Sequence, residues 1–158
     1  MEGKIELLKK KDTPEAITLY QKLAKEQIPS MNIEHEDIAN RFLANNCYVY
    51  KNEKAKITGL VTFCGSPEYN LVELEFVGSS EKKKGIATNL LRKVAEDAKK
   101  NDIDNIYAKV SDKDQRAMDF YKSLGFKKED ELSNDKMTLY IVKATPEEIL
   151  NRAKKVKK

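Results

Sequence analysis

The sequence has 158 residues, of which 40% are hydrophobic and 35% are charged, and its formal net charge is +4. This length suits one domain. The hydrophobic fraction is large enough for an apolar core and argues against a disordered chain. No apolar run approaches the ~20 residues of a membrane span, and the charged N-terminal stretch lacks the apolar segment of a signal peptide. We expect a soluble, cytoplasmic protein that does not engage membranes.

Three residues with reactive side chains give no strong functional signal. Cys47 and Cys64 lie in apolar, strand-like stretches and form neither a CxxC motif nor a zinc pattern. We interpret them as two buried thiols in a reducing compartment and expect no metal. His35 is the only histidine and is interpreted as a surface residue.

The first half of the chain predicts one strand, two helices and three further strands. Residues 4–9 alternate in polarity, and Thr13-Pro14 predicts an N-cap followed by the first residue of a helix that runs to about Ala24. The apolar stripe of that helix is Ala16, Ile17, Tyr20, Leu23 and Ala24. A second helix is predicted over 33–44, and strands follow over 47–50, 57–63 and 71–77.

The second half alternates helices and strands. After a loop over 78–84, a helix begins at Gly85 with the apolar face Ile86, Ala87, Leu90, Leu91, Val94, Ala95 and Ala98. A strand over 103–110 and a helix over 114–124, closed by Gly125, come next. Two more strands begin at Phe126 and Met137, separated by an acidic loop, and a capping box at Thr145 starts a C-terminal helix over 146–157.

The element order predicts a single α/β (α+β) domain over 1–158, with its core over 4–142. We expect a mixed central sheet of about six to seven strands, flanked by helices and followed by the C-terminal helix.

The segment from Lys82 to Ala87 has the chemistry of an anion site. It follows a predicted strand, contains Lys82, Lys83, Lys84 and Gly85, and opens a helix. The first N–H groups of a helix lack intrahelical partners, and the helix dipole favours negative charge there. A pyrophosphate would fit. The alternative is a helix that starts at glycine after a solvated basic run.

Two motifs at this separation give a family resemblance. The Lys82-x-x-Gly85-x-Ala87 segment resembles the pyrophosphate loop of the GNAT superfamily, written Q/R-x-x-G-x-G/A. The run from Ala117 to Phe126 resembles that family's A-x-x-F-Y-x-x-L-G-F segment. Two residues depart from the family pattern: Lys82 replaces Gln or Arg, and Asp114 replaces an Asn that often contacts the cofactor.

The resemblance implies an N-acetyltransferase that moves an acetyl group from acetyl-CoA to a primary amine by direct attack in a ternary complex. No metal is implied. The residues that the resemblance assigns to acetyl-CoA are Phe76, Val77, Lys82, Lys83, Lys84, Gly85, Ile86, Ala87, Thr88, Asp114 and Tyr121.

The resemblance also implies catalytic roles. Glu73 is predicted as the general base, directly or through water, with Glu75 on the same strand face as the second candidate. The backbone N–H of Val77 would stabilise the oxyanion, and Tyr121 would protonate the leaving thiolate. The alternatives are ordinary carboxylates on an exposed strand face and a tyrosine packed beside Phe120.

The acceptor is predicted as an amine on a small molecule or on a protein or peptide, and the oligomeric state as monomer or homodimer. Two acidic groups suggest a cationic acceptor, although ordinary solvated acids explain them better: Glu34, Glu36 and Asp37, and Glu129, Asp130, Glu131 and Asp135. The alternative function is a catalytically silent module of the same fold that binds acyl-CoA or a protein partner. Interleaved acids and the lack of an aromatic-basic platform argue against nucleic acid.

Overall fold

The computed structural model describes residues 3–27, 46–81 and 85–153. The predicted helix over 33–44, with His35, Glu34, Glu36 and Asp37, and the loop lysines Lys82, Lys83 and Lys84 lie outside these ranges. The described strands are β1 (Lys4–Leu7), β2 (Asn46–Lys51), β3 (Ile57–Ser66), β4 (Leu71–Ser79), β5 (Asn105–Ser111), β6 (Lys127–Ser133) and β7 (Thr138–Ala144). The described helices are α1 (Thr13–Gln27), α2 (Ile86–Lys100), α3 (Gln115–Ser123) and α4 (Pro146–Ala153), with short 3-10 turns at Lys10–Asp12 and Pro67–Tyr69.

The seven described strands form a mixed sheet in the order β1-β2-β3-β4-β5-β7-β6. Strands β4 and β5 are parallel, with Leu71 to Leu74 in register with Asn105 to Ala108. Antiparallel pairs join β1 to β2, β2 to β3, β5 to β7 and β6 to β7. The predicted mixed sheet with flanking helices and a C-terminal helix is therefore confirmed.

The chain divides into two compact units, one containing the described residues of 1–63 and 76–90 and the other those of 64–75 and 91–158. The expectation of a single domain over 1–158 stays a prediction. In the first unit, the predicted apolar stripe of α1 is buried against β2 and β3. Its cluster comprises Ala16, Ile17, Leu19, Tyr20, Leu23, Ala24, Cys47, Val49, Ile57 and Leu60.

In the second unit, side chains cap the first turn of α4. The Oγ1 of Thr145 accepts a hydrogen bond from Glu148 N at 3.1 Å, and Glu148 Oε1 accepts one from Thr145 N at 2.9 Å. This reciprocal pair is the predicted capping box. Gly125, at φ +94°, lies beneath α4, since an added Cβ would be 3.2 Å from Cβ of Glu148. The glycine therefore permits both the turn after α3 and close packing of α4.

The start of α1 differs from the prediction. Thr13 is itself helical, at φ −56° and ψ −45°, so it is not the N-cap. Its hydroxyl donates to the carbonyl oxygen of Lys9 at 3.3 Å. The 3-10 turn over Lys10–Asp12 leads directly into α1, which explains why the helix starts earlier than the Thr-Pro signal suggests.

The predicted acidic loop is also wrong in part. Glu129, Asp130 and Glu131 lie within β6, and Asp135 lies in the turn that follows. Every side chain of β6 is exposed at the sheet edge, so no apolar alternation marks it as a strand. Charged side chains are typical of edge strands because they discourage further pairing.

The two thiols differ in exposure. Cys47 is buried as predicted, and burial raises the pKa of its thiol to about 12. Cys64 is exposed, because it lies beyond the fully buried segment of β3. Neither forms a disulfide.

Candidate active site

The end of β4 is tied to β3 where the chain turns towards α2. The N–H of Ser80 donates to the carbonyl oxygen of Thr58 at 2.8 Å, and the Ser80 hydroxyl donates to the same oxygen at 3.3 Å. Ser79 Oγ accepts from Glu81 N at 3.1 Å, which closes a compact side-chain turn. Strand β4 therefore extends to Ser79, two residues beyond its predicted end at Val77.

Gly85, immediately before α2, has a backbone conformation that residues with a side chain rarely adopt. Its φ is +71°, in the left-handed region that glycine adopts without steric cost. Its carbonyl oxygen accepts from Asn89 N at 2.9 Å, which is the first turn of the helix. The N–H groups of Ile86, Ala87 and Thr88 precede that bond and have no intrahelical acceptor. This arrangement fits an anionic group such as a pyrophosphate.

Gly59 on β3 sets the position of that helix start. A Cβ at Gly59 would lie 2.6 Å from Cγ2 of Ile86 and 3.3 Å from Cδ1 of Leu90. Only a residue without a side chain allows α2 to approach β3 so closely. Sequence reasoning overlooked Gly59, although an isolated glycine inside an apolar strand indicates close approach by another element.

Phe76 and Val77 occupy the last part of β4. The Phe76 ring is half-buried and packs edge-on against Tyr20 of α1, with 4.8 Å between ring centroids. Its side chain therefore belongs to the core, which leaves its backbone for any ligand contact. Val77 lies three residues beyond Leu74, the last β4 residue in register with β5.

In the second unit, Tyr121 is buried on α3 among aromatic rings. Its ring lies edge-on to Phe120 at 5.4 Å and to Phe126 at 5.0 Å. Burial, and then the negative charge of Asp114, raise the pKa of the Tyr121 hydroxyl well above its usual range. The hydroxyl therefore keeps its proton at neutral pH and is a weaker acid than an exposed tyrosine.

Asp114 is the N-cap of the helix that carries Tyr121. Its Oδ1 accepts from Ala117 N at 3.0 Å, and its carbonyl oxygen accepts from Met118 N at 3.1 Å. The predicted helix over 114–124 thus has its cap at Asp114 and its ordered body from Gln115 to Ser123. Sequence reasoning considered this residue only as a cofactor contact. Asp three residues before a helical N–H is nevertheless a common capping signal.

Glu73 and Glu75 point to the same side of β4, as the alternation predicted. Glu73 Oε2 lies 3.3 Å from the Nζ of Lys109 on β5, with side chains 37% and 53% exposed. Glu75 is exposed. Lys109 was not predicted to belong to the site, because only the register of the two strands brings it to Glu73.

Other classes of site find little support in the described ranges. They contain no group of three or more His, Cys, Asp or Glu side chains that could hold a metal ion. Nor does any helix in these parts of the chain combine the length and apolar character needed to cross a membrane.

Comparison with known proteins establishes the family. The model of the Acetyltransferase (GNAT) family matches residues 5–126. The chain therefore belongs to the GNAT acetyltransferase family, as the two motifs predicted. No curated protein matches the sequence.

Solved structures share the fold at low sequence identity. The ribosomal-protein-S18-alanine N-acetyltransferase of Escherichia coli has a TM-score of 0.75 at 14% identity, covering 90% of this chain and 93% of its own. Spermidine N-acetyltransferase from Vibrio cholerae, in complex with CoA and spermine, has 0.75 at 14%, covering 95% and 99%. PaiA N-acetyltransferase from Thermoplasma acidophilum, in complex with coenzyme A, has 0.75 at 17%, covering 92% and 99%.

Proposed function

We propose that this protein is an acetyl-CoA-dependent N-acetyltransferase that acts on a primary amine by direct transfer in a ternary complex. The observation that carries the proposal is the start of α2. There, a glycine at φ +71° follows the strand-loop segment and leaves the first N–H groups of the helix to an anion. Family membership and the CoA-bound structures of similar fold support acetyl-CoA as the acyl donor.

The first half of the proposed site binds the donor. The N–H groups of Ile86, Ala87 and Thr88 hold the pyrophosphate with Gly85, and the basic residues Lys82, Lys83 and Lys84 add positive charge. The backbone at Phe76 and Val77 lies along the thioester arm, and Asp114 contributes a further contact. The N–H of Val77 donates to the oxyanion that forms when the amine attacks.

The second half moves protons. Glu73, or Glu75 in its place, takes one proton from the acceptor ammonium, directly or through water, so that the nitrogen gains a free electron pair. That pair forms the C–N bond, the C–S bond breaks, and CoA leaves as a thiolate. Tyr121 protonates the thiolate and recovers a proton from the new amide nitrogen. The sum is one amide, one thiol and one proton released to solvent.

The first test is a thermal-shift titration with acetyl-CoA, free CoA and ATP. A ligand at about 100 times its dissociation constant adds about 2.7 kcal/mol of stability. Stabilisation by both CoA species but not by ATP, followed by turnover with an amine, supports the proposal. No shift with either CoA species would contradict it.

The alternative is a silent module of the same fold that binds acyl-CoA or a protein partner. A silent module that binds acyl-CoA also predicts a thermal shift with CoA, so the shift alone does not separate it from the enzyme. A screen of primary amines with thiol detection does. CoA binding without release of thiol from acetyl-CoA, for any amine class, would favour the silent module.

A further inference from the structure

We infer that the amine acceptor is zwitterionic, with a carboxylate close to its amine, and that Lys109 binds this carboxylate while Glu73 binds the ammonium. The inference rests on the proposed function and specifies its acceptor. It makes Lys109 a specificity-determining residue and argues against a polyamine.

The geometry begins with strand register. Glu73 is directly opposite Tyr107 in the parallel pair of β4 and β5. Lys109 lies two residues further along β5, so its side chain leaves the same face as that of Glu73. The resulting distance of 3.3 Å from Nζ to Oε2 places one positive and one negative group side by side.

The pair is open to exchange with a ligand. Both side chains are more than a third exposed, and ion pairs at such exposure contribute little to stability. A ligand that offers a better partner to each group can therefore separate them at small cost. A side chain buried in the fold would not be available in this way.

The two charges discriminate between acceptor classes. A simple amine or a polyamine would satisfy Glu73, but it would displace Lys109 and be repelled by it. A molecule with adjacent ammonium and carboxylate groups, such as an α-amino acid, satisfies both Glu73 and Lys109. Its charges are complementary to the pair as the fold presents it.

The β6–β7 hairpin of the same unit also pairs lysines with acidic residues. Lys128 Nζ lies 2.6 Å from Glu131 Oε1, and Lys143 Nζ lies 3.4 Å from Glu129 Oε2. Two of the hairpin's four acidic residues, Glu129 and Glu131, are thus paired with its own lysines, and residues 127–144 contain four lysines against four acidic residues. The second unit does not offer there the surplus of negative charge that a polyamine requires.

The test compares matched acceptors with acetyl-CoA as donor: a set of α-amino acids, the amine left by removing the carboxylate of each, and spermidine. We expect at least one amino acid to exceed its matched amine in kcat/KM by about two- to fivefold, the range expected for one exposed charge pair. Lys109→Met should remove the preference for the amino acid over its matched amine, by raising the KM for the amino acid with little change in kcat. Lys109→Arg, which keeps the charge, should retain it.

Lys100→Met is the control, because it removes an exposed lysine from the end of α2 and should leave the preference unchanged. Equal or better turnover of the matched amines or of spermidine would overturn the inference but leave the proposed function intact. A Lys109→Met variant that keeps the preference would also overturn it. Release of thiol with none of the acceptors would contradict the proposed function and remove the basis of the inference.

Discussion

Gly59 and Ile86 are in direct contact, because a Cβ on Gly59 would lie 2.6 Å from Cγ2 of Ile86. The contact joins the middle of the sheet to the first turn of α2, where the proposed pyrophosphate site begins. The packing of α2 and the proposed binding of a pyrophosphate therefore both depend on the absence of a side chain at Gly59.

Gly59→Ala should destabilise the fold and weaken CoA binding together. The added methyl group must push the first turn of α2 away from β3, and overpacking of this kind costs about 1–3 kcal/mol. Thermal unfolding and CoA titration measure the two effects. Gly65→Ala is the matched control on the same strand, since its Cβ would be 3.8 Å from Cγ2 of Val72, an ordinary contact. Equal behaviour of the two variants would show that the contact does not position the helix.

Asp114 offers a substitution that separates capping from charge. Asp114→Asn keeps an acceptor for Ala117 N and should leave the melting temperature nearly unchanged, because Asn and Asp cap helices equally well. Asp114→Ala loses the cap and should cost about 1 kcal/mol. The proposed function assigns Asp114 a contact with the anionic donor, so the Asn variant, which removes a negative charge, should bind CoA at least as tightly as the parent. Weaker CoA binding by Asp114→Asn would show that the carboxylate itself contacts the donor.

Tyr121→Phe tests the proposed proton donor. The phenyl ring preserves the packing against Phe120 and Phe126, so the melting temperature and CoA affinity should change little. Loss of a general acid lowers the rate by about 100- to 10,000-fold. The measurements are kcat, CoA affinity and thermal unfolding, beside Tyr69→Phe at a tyrosine that is 75% exposed. Full activity in Tyr121→Phe would remove the hydroxyl from the mechanism.

Much of the fold was predictable because its elements bury one face. The stripe of α1 and the face of α2 follow helical spacing, and nearly all of the predicted residues are buried. The capping box at Thr145 is a local signal and was predicted correctly. Strand β6 was predicted to begin at Phe126, but its extent to Ser133 was not predicted, because an exposed edge strand has no buried face and therefore no alternation.

The candidate site was less predictable because its key relationships join distant residues. Gly85 is a local signal, and its positive φ agrees with the prediction of a glycine-dependent turn. The Glu73–Lys109 pair depends on the parallel register of β4 and β5, which the sequence does not encode locally. The closeness of Gly59 to Ile86 likewise depends on how α2 lies on β3.

The last prediction concerns an ion cluster that joins β1, β2 and the turn before α1. Lys51 Nζ lies 2.9 Å from Glu6 Oε2 and 2.8 Å from Asp12 Oδ2, with all three side chains mostly buried. The hydrogen bond from Lys51 is the largest of several lysine interactions that together lower the pKa of Glu6 from 4.5 to about 2, against the opposing effect of burial. Glu6 therefore stays ionised in the folded protein at pH values where the same carboxyl is already protonated in the unfolded chain.

A carboxylate with a lowered pKa stabilises the fold above its unfolded pKa, and this contribution disappears as the pH falls through the folded value. Glu6→Gln should therefore melt at a lower temperature than the parent at pH 7. The difference should shrink between pH 4.5 and about pH 2, the interval set by the two pKa values. Melting temperatures across this range provide the measurement, with the exposed Glu68→Gln as the control. If the difference in melting temperature between the parent and Glu6→Gln stayed constant down to pH 2, the variant would act through lost packing. A contribution from the charge of Glu6 must disappear once Glu6 is protonated.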